Sequence, residues 1–438
     1  MSKKQLLFVV FFLGTMRLAA HEYPATEVRA VWLTTNYGLD WPHNRTDIVA
    51  QKRELISILD DLKKYHFNTV FFQTRARGEV FYRSKVEPMS SVIAGGGDDA
   101  FDPLAFAVEE CHKRGMECHA WLVTYPLGKN SFVKSLGANS VTKKNPSIAK
   151  QFKGEWFLDP GNPNTDTYLL SMVKEIVSNY DVDGIQFDYV RYPDNKGSFP
   201  DADSYRLYGR GRKSLDDWRR DNITRFVTSA YDWVKSVKPW VQVSSSPLGR
   251  YREIDGRGKG WTAYETVYQD AGRWLQMGKH DALYPMMYYK GALFFPYADD
   301  WQANANKRIV APGLGAFQML ELDWAKQDIV DQIDYTRRKK MSGQAFFRAQ
   351  NILSNTKGIL FTLNDYYNFP AKLPPMTWLS DSIPGTVDDL RAEKVRGHFQ
   401  LKWNVDNGEN ERITFNVYRC ETDDFDTSKG ENLLAVGL

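Results

Sequence analysis

The sequence predicts an α/β protein built as a (β/α)8 TIM barrel, with a short, incomplete β-sandwich segment at its C-terminus. Eight short apolar, β-rich runs alternate with stretches of helical period between residues 28 and 370, and this alternation is typical of parallel strands joined by helices. The first strand leads into residues 34–42, TTNYGLDWP, instead of a glycine-rich phosphate loop. The absence of that loop from the sequence favours a closed barrel over an open doubly wound sheet.

The predicted elements can be given in chain order. The strands are expected at residues 28–35, 69–75, 117–125, 184–190, 241–246, 282–289, 309–314 and 343–347. The helices are expected at residues 51–65, 103–114, 165–180, 215–237, 262–278, 301–307, 323–341 and 355–367. Breaks such as Arg114-Gly115 and Met341-Ser342-Gly343 stand where a helical stretch meets the strand that follows, as a helix-to-strand connection requires.

Residues 1–20 have the pattern of a secretory signal, with two lysines, an apolar run and then Ala19-Ala20. We expect cleavage near Ala20 and a mature protein in the periplasm or outside the cell. The apolar run is too short to span a bilayer comfortably. We therefore expect no membrane span in the mature chain.

The remaining domain boundaries follow from composition and pattern. The barrel is expected over residues 27–370, and residues 371–384, with three prolines, are predicted to be a linker. Residues 385–438 alternate apolar and polar positions like a β-sandwich. Within them, residues 401–403 and 415–419 resemble strands of a fibronectin type III module. Since a complete sandwich has about 100 residues, we expect an abbreviated or truncated module.

Composition argues against several classes of function. Three cysteines argue against a disulfide framework and a cysteine-rich metal site, and the seven histidines form no ligand pair at helical spacing. A net charge of +3 gives no electrostatic case for nucleic acid, and zinc and serine hydrolase motifs are absent. We therefore expect carboxylate chemistry without a metal or cofactor. Aromatic residues, 14% of the chain, would offer stacking surfaces for sugars.

Catalytic residues of TIM barrels lie at the carboxyl ends of the strands, where three carboxylates are candidates. Asp188 ends the fourth strand and is a candidate nucleophile or base; the alternative is a structural pair with Arg191. Glycoside hydrolysis ordinarily needs a second carboxyl group, about 5 to 9.5 Å from the first. Glu79, after the second strand, and Glu265, in the loop after the fifth, are the candidate partners.

These two candidate partners have different neighbours in the chain. Glu79 follows Arg75 and Arg77, and nearby cations lower a carboxyl pKa. Glu79 is therefore expected to act as a base or a binding group, with a salt-bridged loop residue as the alternative. Glu265 is flanked by tyrosines in a glycine-containing loop, and apolar surroundings raise a carboxyl pKa.

A set of polar and aromatic residues at or near the strand ends is predicted to bind substrate. The set is Arg29, Trp32, Gln73, Arg75, Trp121, Gln186, Arg191, Tyr192, Tyr288 and Arg348. We expect them to contact a polysaccharide, because carboxylate catalysis and aromatic side chains both suit sugar substrates.

Several segments together resemble the glycoside-hydrolase-like family 10 proteins, a family of exported barrels. They are VRAVWL at 28–33, LDWP at 39–42, NTVFFQ at 68–73, HKRGM and HAW at 112–116 and 119–121, LDPG at 158–161 and DGIQFDYVRYP at 183–193. The resemblance implies a (β/α)8 barrel that hydrolyses glycans of the cell envelope and, in some members, peptidoglycan glycan strands. Asp188 matches the aspartate of the family's fourth strand.

The chain departs from the family at two acidic positions. Family members often carry a second acidic residue where Tyr189 stands, and a glutamate after strand eight where this chain has Ala349-Gln350. We expect a glycoside hydrolase for an envelope or extracellular polysaccharide, with peptidoglycan as the leading substrate. The departures leave two alternatives: a glycan-binding barrel without catalysis, and a glycan lyase or transglycosylase.

Overall fold

The structure, a computed structural model, describes residues 23–95, 101–193, 199–211, 214–257, 259–380, 387–405, 413–421 and 426–438. The predicted signal at residues 1–20 therefore lies outside the described residues. Parallel strands form the centre of the molecule. They are β1 (Val28–Leu33), β2 (Thr69–Arg75), β3 (Glu117–Val123), β4 (Gly184–Asp188), β5 (Gln242–Ser245), β6 (Ala282–Leu283), β7 in two pieces (Ile309–Val310 and Gly313–Leu314) and β8 (Gly343–Phe346).

The sheet closes on itself through the interrupted strand β7. Its first piece pairs in parallel with β6 and its second with β8, while β8 pairs with β1. Between the pieces, the amide of Ala311 still donates to Leu283, and the carbonyl of Pro312 accepts from Ala345. Strands β1 to β6 pair in sequence order. The predicted TIM barrel is therefore confirmed.

Strand β1 shows why the barrel strands have nearly continuous apolar sequences. Val28, Ala30 and Trp32 pack in the cluster inside the barrel, whereas Val31 and Leu33 pack in the larger cluster formed with the helices. Successive side chains of a strand point to opposite faces, and here both faces are covered. All six residues of β1 are buried, as is usual for parallel sheets.

Helices surround the barrel, and the first four of its main helices begin at capping side chains. Asp47 accepts from Val49, and Ser214 accepts from Asp217, at the starts of their helices. The main helices that follow the eight barrel strands are, in chain order, α1 (Ile48–Lys64), α2 (Pro103–His112), α3 (Pro163–Asn179), α4 (Leu215–Val237), α5 (Ala271–Gln276), α6 (Phe295–Ala303), α7 (Lys326–Arg338) and α8 (Ile359–Tyr366). Additional α-helical segments are Asn130–Ser135, Val141–Lys144, Ala202–Tyr208, Ala263–Thr266, Gln318–Glu321 and Ala349–Leu353.

Two predicted helices are wrong in extent, and the one expected at residues 301–307 lies instead at Phe295–Ala303. Residues 262–278 form two short helices, Ala263–Thr266 and α5, because the chain breaks at Tyr268, which has φ 62°. The ring of Tyr268 is buried and lies 5.4 Å from that of Tyr192, and its hydroxyl accepts from Arg219. These tertiary contacts outweigh the helical pattern of the sequence.

An excursion that the sequence analysis did not predict follows β3 at the carboxyl-terminal end of the barrel. Residues 126–158, here called the rim excursion, contain the antiparallel strands Pro126–Lys129, Ala149–Phe152 and Glu155–Leu158. The amide of Leu158 donates to the carbonyl of Tyr125. The excursion therefore begins and ends at the carboxyl end of β3.

The C-terminal segment forms two small antiparallel pairs. One is an exposed hairpin of Val387–Val395 and His398–Val405. The other joins Val417–Tyr418 to Leu433–Ala435, where Leu433 is buried. These pairs agree with the predicted β-rich segment; its boundaries and its likeness to a fibronectin type III module stay predictions.

None of the helices in the described part of the chain has both the length and the apolar character needed to cross a membrane.

Candidate active site

A pocket of about 220 Å³ opens at the carboxyl ends of the barrel strands. Side chains from or just after all strands except β7 line it. They are Trp32, Thr34, Asn36, Leu39, Gln73, Ala76, Arg77, Trp121, Val123, Asp188, Tyr189, Ser246, Met286, Tyr288 and Phe347. This is the end of a TIM barrel at which active sites are found.

Asp188, the last residue of β4, is held by two hydrogen bonds in this pocket. The indole Nε1 of Trp121 donates to Oδ2 at 3.1 Å, and the backbone amide of Tyr189 donates to Oδ1 at 2.7 Å. Tyr189 has φ 49°, a left-handed conformation that is uncommon outside glycine. The carboxylate is therefore fixed in orientation from both sides.

Burial controls the protonation of Asp188. Loss of hydration raises its pKa to about 6, although the hydrogen bonds from Tyr189 and Trp121 and the positive charges of Arg191 and Arg77 act to lower it. At neutral pH the group is mostly ionised, as a nucleophile or base requires. It becomes mostly protonated below about pH 6, and a pKa near the working pH suits proton transfer.

Aromatic rings form fixed walls around this carboxylate. Trp32 donates from its indole to Oε1 of Gln186 at 2.8 Å, and Trp121 is held by its bond to Asp188. The rings of Tyr288 and Phe347 lie 5.7 Å apart at their centroids. Rigid aromatic walls with a few placed polar groups are typical of small-molecule sites.

Among the described residues that line the pocket, Asp188 is the one carboxylate. Asp40, on the loop after β1, is fully engaged elsewhere. It accepts from Arg348 at 2.5 Å, from the amide of Thr34 at 2.8 Å and from the amide of Gln350 at 2.9 Å. Asp40 therefore joins the loops that follow β1 and β8.

A family model described as "Glycosyl hydrolase-like 10" matches residues 27–314. The chain belongs to the glycosyl hydrolase-like 10 family. Glycosyl hydrolase YngK of Bacillus subtilis (strain 168) is 30% identical over 443 residues, covering 95% of this chain and 87% of that protein. Glycosyl hydrolase DigH of Escherichia coli (strain K12) is 33% identical over 322 residues, covering 67% of this chain and 73% of that protein. The predicted family resemblance is confirmed.

Solved structures share the fold of this family member. The PgaB (BpsB) glycoside hydrolase domain from Bordetella bronchiseptica has a TM-score of 0.55 at 15% identity, covering 78% of this chain and 99% of that chain. The catalytic domain of a β-amylase from Paenibacillus polymyxa has a TM-score of 0.51 at 11% identity, covering 79% of this chain and 98% of that chain. At these identities, both likenesses show a shared fold alone.

In this glycosyl hydrolase-like 10 protein, the pocket brings together five of the thirteen predicted site residues. Trp32, Gln73, Trp121 and Tyr288 line it with Asp188. Gln186, also predicted, does not line the pocket but accepts the indole hydrogen of a lining residue. These residues have similar positions in the barrel, because each lies on the inward face of a strand or just beyond its carboxyl end.

Three predicted binding residues lie away from the pocket, because packing or pairing takes up their polar groups. Arg29 is on the outward face of β1 and donates to Glu27 at 2.9 Å. Arg75 is buried, and its guanidinium pairs with Glu87 at 2.6 Å. The hydroxyl of Tyr192 accepts from Asn222 at 3.1 Å. These three residues were expected to contact substrate, but the structure places them outside the pocket lining.

Two further predicted residues lie next to the pocket without lining it. The guanidinium of Arg191 stacks on the ring of Tyr189 at 4.6 Å and acts on Asp188 through its charge. Arg348 donates to the carboxylate of Asp40 and to the carbonyl of Leu39. Both orient residues of the pocket mouth.

The two candidate partner carboxylates do not line the pocket with Asp188. Burial raises the pKa of Glu79, and a hydrogen bond with Ser90 only partly offsets this. The expected lowering by neighbouring arginines is therefore wrong, because Arg75 is paired elsewhere. Glu265 accepts from the hydroxyl of Thr262 at 2.5 Å at the start of a short helix, which is a capping arrangement.

Ten lining residues were absent from the sequence prediction. They are Thr34, Asn36, Leu39, Ala76, Arg77, Val123, Tyr189, Ser246, Met286 and Phe347. A broader rule, which takes every residue up to three positions beyond an observed strand end, would have found eight of them: Thr34, Asn36, Ala76, Arg77, Tyr189, Ser246, Met286 and Phe347. The described residues contain no group of three or more histidine, cysteine or acidic side chains placed to hold a metal ion.

Proposed function

We propose that this protein is an exported glycoside hydrolase that cleaves glycosidic bonds of an envelope or extracellular polysaccharide, with peptidoglycan glycan strands as the leading substrate. The observation that carries the proposal is the buried carboxylate of Asp188 among aromatic walls at the catalytic end of the barrel. Membership of a glycosyl hydrolase-like family supports the class of reaction. The pattern of residues 1–20 supports export.

Asp188 is assigned the role of nucleophile or base. Ionised at neutral pH, it can attack the anomeric carbon or take a proton from water, while Trp121 and the Tyr189 amide hold it in place. The leaving sugar oxygen needs a proton from a second group. Glu79 is the better candidate for that acid than Glu265, because burial raises the Glu79 pKa. Glu79 would have to approach the pocket once substrate is bound.

The test is turnover of purified peptidoglycan sacculi, with and without stem peptides, followed by mass analysis of the soluble products. The wild-type protein is expected to release glycan fragments, and Asp188→Asn is expected to lower the rate by at least a hundredfold. Asp365→Asn, at an exposed position on α8, is the matched control and should keep the wild-type rate. Equal rates for the wild type and Asp188→Asn would contradict the assignment.

A glycan-binding barrel without catalysis is the second candidate, favoured by the single carboxylate among the described lining residues. It predicts that wild type and Asp188→Asn retain glycan strands equally and that neither releases fragments. The chemical structure of the ends of any released fragments distinguishes hydrolysis from the remaining alternative. Anhydro or unsaturated ends would indicate a transglycosylase or lyase, whereas reducing ends indicate hydrolysis.

A further inference from the structure

The rim excursion carries a concentration of positive charge beside the pocket. Residues 126–158 contain six lysines and one acidic residue, Glu155, a net charge of +5. The whole chain of 438 residues has a net charge of only +3. The positive charge is therefore local, on a segment that begins where β3 ends at the mouth of the barrel.

Most of these lysines are available to a ligand. Lys150 pairs with Asp203 at 2.7 Å. The other five are exposed and make no ion pair with the described residues: Lys129, Lys134, Lys143, Lys144 and Lys153. A surface that serves only solubility usually mixes charges of both signs, whereas here six of the seven charged side chains are positive.

Arg77 connects the excursion to the candidate active site. It lines the same pocket as Asp188 and acts on it through its charge. A Cβ on Gly128 of the excursion would lie 3.6 Å from that of Arg77, so the two segments are in contact. The ion pair of Arg77 with Glu155 is long, 3.8 Å from Nη1 to Oε2, and both side chains are about one-third exposed.

We propose that Arg77 binds a carboxylate carried by the glycan substrate, and that the exposed lysines of the rim excursion contact further carboxylates along the same chain. This inference rests on the proposed function and specifies its substrate as an anionic, carboxylate-bearing glycan. The planar guanidinium matches a carboxylate with two parallel hydrogen bonds. A substrate carboxylate can replace the weak contact with Glu155.

Lysines contribute differently from the arginine. Their charges lie on flexible, hydrated side chains and attract an anionic polymer over roughly a Debye length, about 10 Å at 0.1 M salt. We therefore assign recognition of one carboxylate to Arg77 and retention of the strand to the lysines. The first contribution should depend on the chemistry of the ligand and the second on ionic strength.

The experiment measures binding by titration calorimetry in the Asp188→Asn protein, which removes turnover. The two probes are glycan strands freed of stem peptides, whose lactyl groups end in free carboxylates, and the same strands after amidation of those carboxylates. The carboxylated strand is expected to bind at least about tenfold more tightly. Adding Arg77→Gln should reduce this preference to less than about twofold. Equal binding of both strands before that change, or an unchanged preference after it, overturns the inference.

The lysines are tested by a matched pair of double variants. Lys129→Gln with Lys134→Gln should weaken binding of the carboxylated strand about threefold at low salt and less at high salt. Lys64→Gln with Lys174→Gln, at exposed positions on α1 and α3, removes the same charge elsewhere and should have no effect. Equal losses in the two pairs would assign the effect to net charge and contradict a role for the excursion.

Failure of the inference can be told from failure of the proposed function by assaying cleavage with the wild-type protein. Cleavage of both strands at equal rates, together with equal binding, supports the glycosidase activity and rejects the carboxylate site. Cleavage of neither strand, with a carboxylate preference that depends on Arg77, rejects the glycosidase and supports the site as part of a glycan-binding protein.

Discussion

Burial raises the pKa of the Asp188 carboxyl group and hydrogen bonds lower it, and the effect of burial is the larger. With a pKa of about 6, a nucleophile or base becomes active as it loses its proton. We expect kcat/KM to rise about tenfold per pH unit below pH 6 and to level off above it. Initial rates on soluble glycan strands between about pH 4 and pH 8 would measure this, with Asp365→Asn showing the same profile. A kcat/KM that shows no rising limb below pH 6 and instead falls through pH 6 would assign Asp188 the role of the acid.

Individual site residues were predictable where the strand alternation was read correctly. Trp32 and Gln73 were placed well because they lie on inward positions of β1 and β2 and line the pocket. Arg29 is on the same strand as Trp32, three positions earlier, and an odd separation puts it on the opposite face. Arg29 donates to Glu27, two residues earlier, and to the carbonyl of Phe369, 340 residues later. The second contact cannot be predicted from the local sequence pattern.

At the scale of elements, Glu27 ties the first strand to the last helices of the barrel. It accepts from Arg29 at 2.9 Å and from Nε of Arg337, on α7, at 2.8 Å. Burial acts to raise the Glu27 pKa, but the two arginines outweigh it and the pKa is lowered. The contribution of Glu27 to folding is therefore complete at neutral pH and is lost only as the pH falls below 4.5.

Glu27→Ala leaves two arginines without their buried partner. We expect the free energy of unfolding at pH 7 to fall by about 3 to 5 kcal/mol, measured by urea denaturation followed by circular dichroism. Glu109→Ala, which removes an exposed partner of Lys113 on α2, is the control and should cost less than about 1 kcal/mol. If the free energy of unfolding fell by a similar amount in both variants, Glu27 would not be the residue that connects these elements.

The bounds of helices and strands were predictable where tertiary packing favours the same conformation as the local sequence pattern. Helix α4 begins and ends where the sequence indicates, because Ser214 caps it and its apolar face fits the barrel. The helix expected over residues 262–278 breaks because Tyr268 packs between Tyr192 and Arg219, contacts with residues 49 to 76 positions earlier in the chain. The rim excursion was missed because its strands are four residues long and interspersed with lysines.

At the scale of the whole molecule, closure of the barrel was predictable and the docking of the C-terminal segment was not. Eight alternating apolar runs leave few arrangements other than a barrel. The end of the described chain, by contrast, meets the barrel through contacts with no local signature. Gly430 donates to the carbonyl of Tyr23, and Gly115 lies so close to Val436 that a Cβ there would sit 2.5 Å from its carbonyl oxygen.

From these contacts we expect the C-terminal segment to stabilise the barrel, and two adjacent leucines test this expectation. Leu433 is 1% exposed and Leu434 is 49% exposed. Leu433→Ala removes a buried side chain and leaves a cavity, so we expect the free energy of unfolding to fall by about 2 to 4 kcal/mol in urea.

Leu434→Ala makes the same chemical change in the neighbouring residue and should cost less than about 1 kcal/mol. Because unfolding is followed by the fluorescence of tryptophans inside the barrel, such as Trp32, a loss specific to Leu433 shows that the segment stabilises the barrel itself. Identical unfolding curves for the two variants would show that the C-terminal strand rests on the barrel without supporting it.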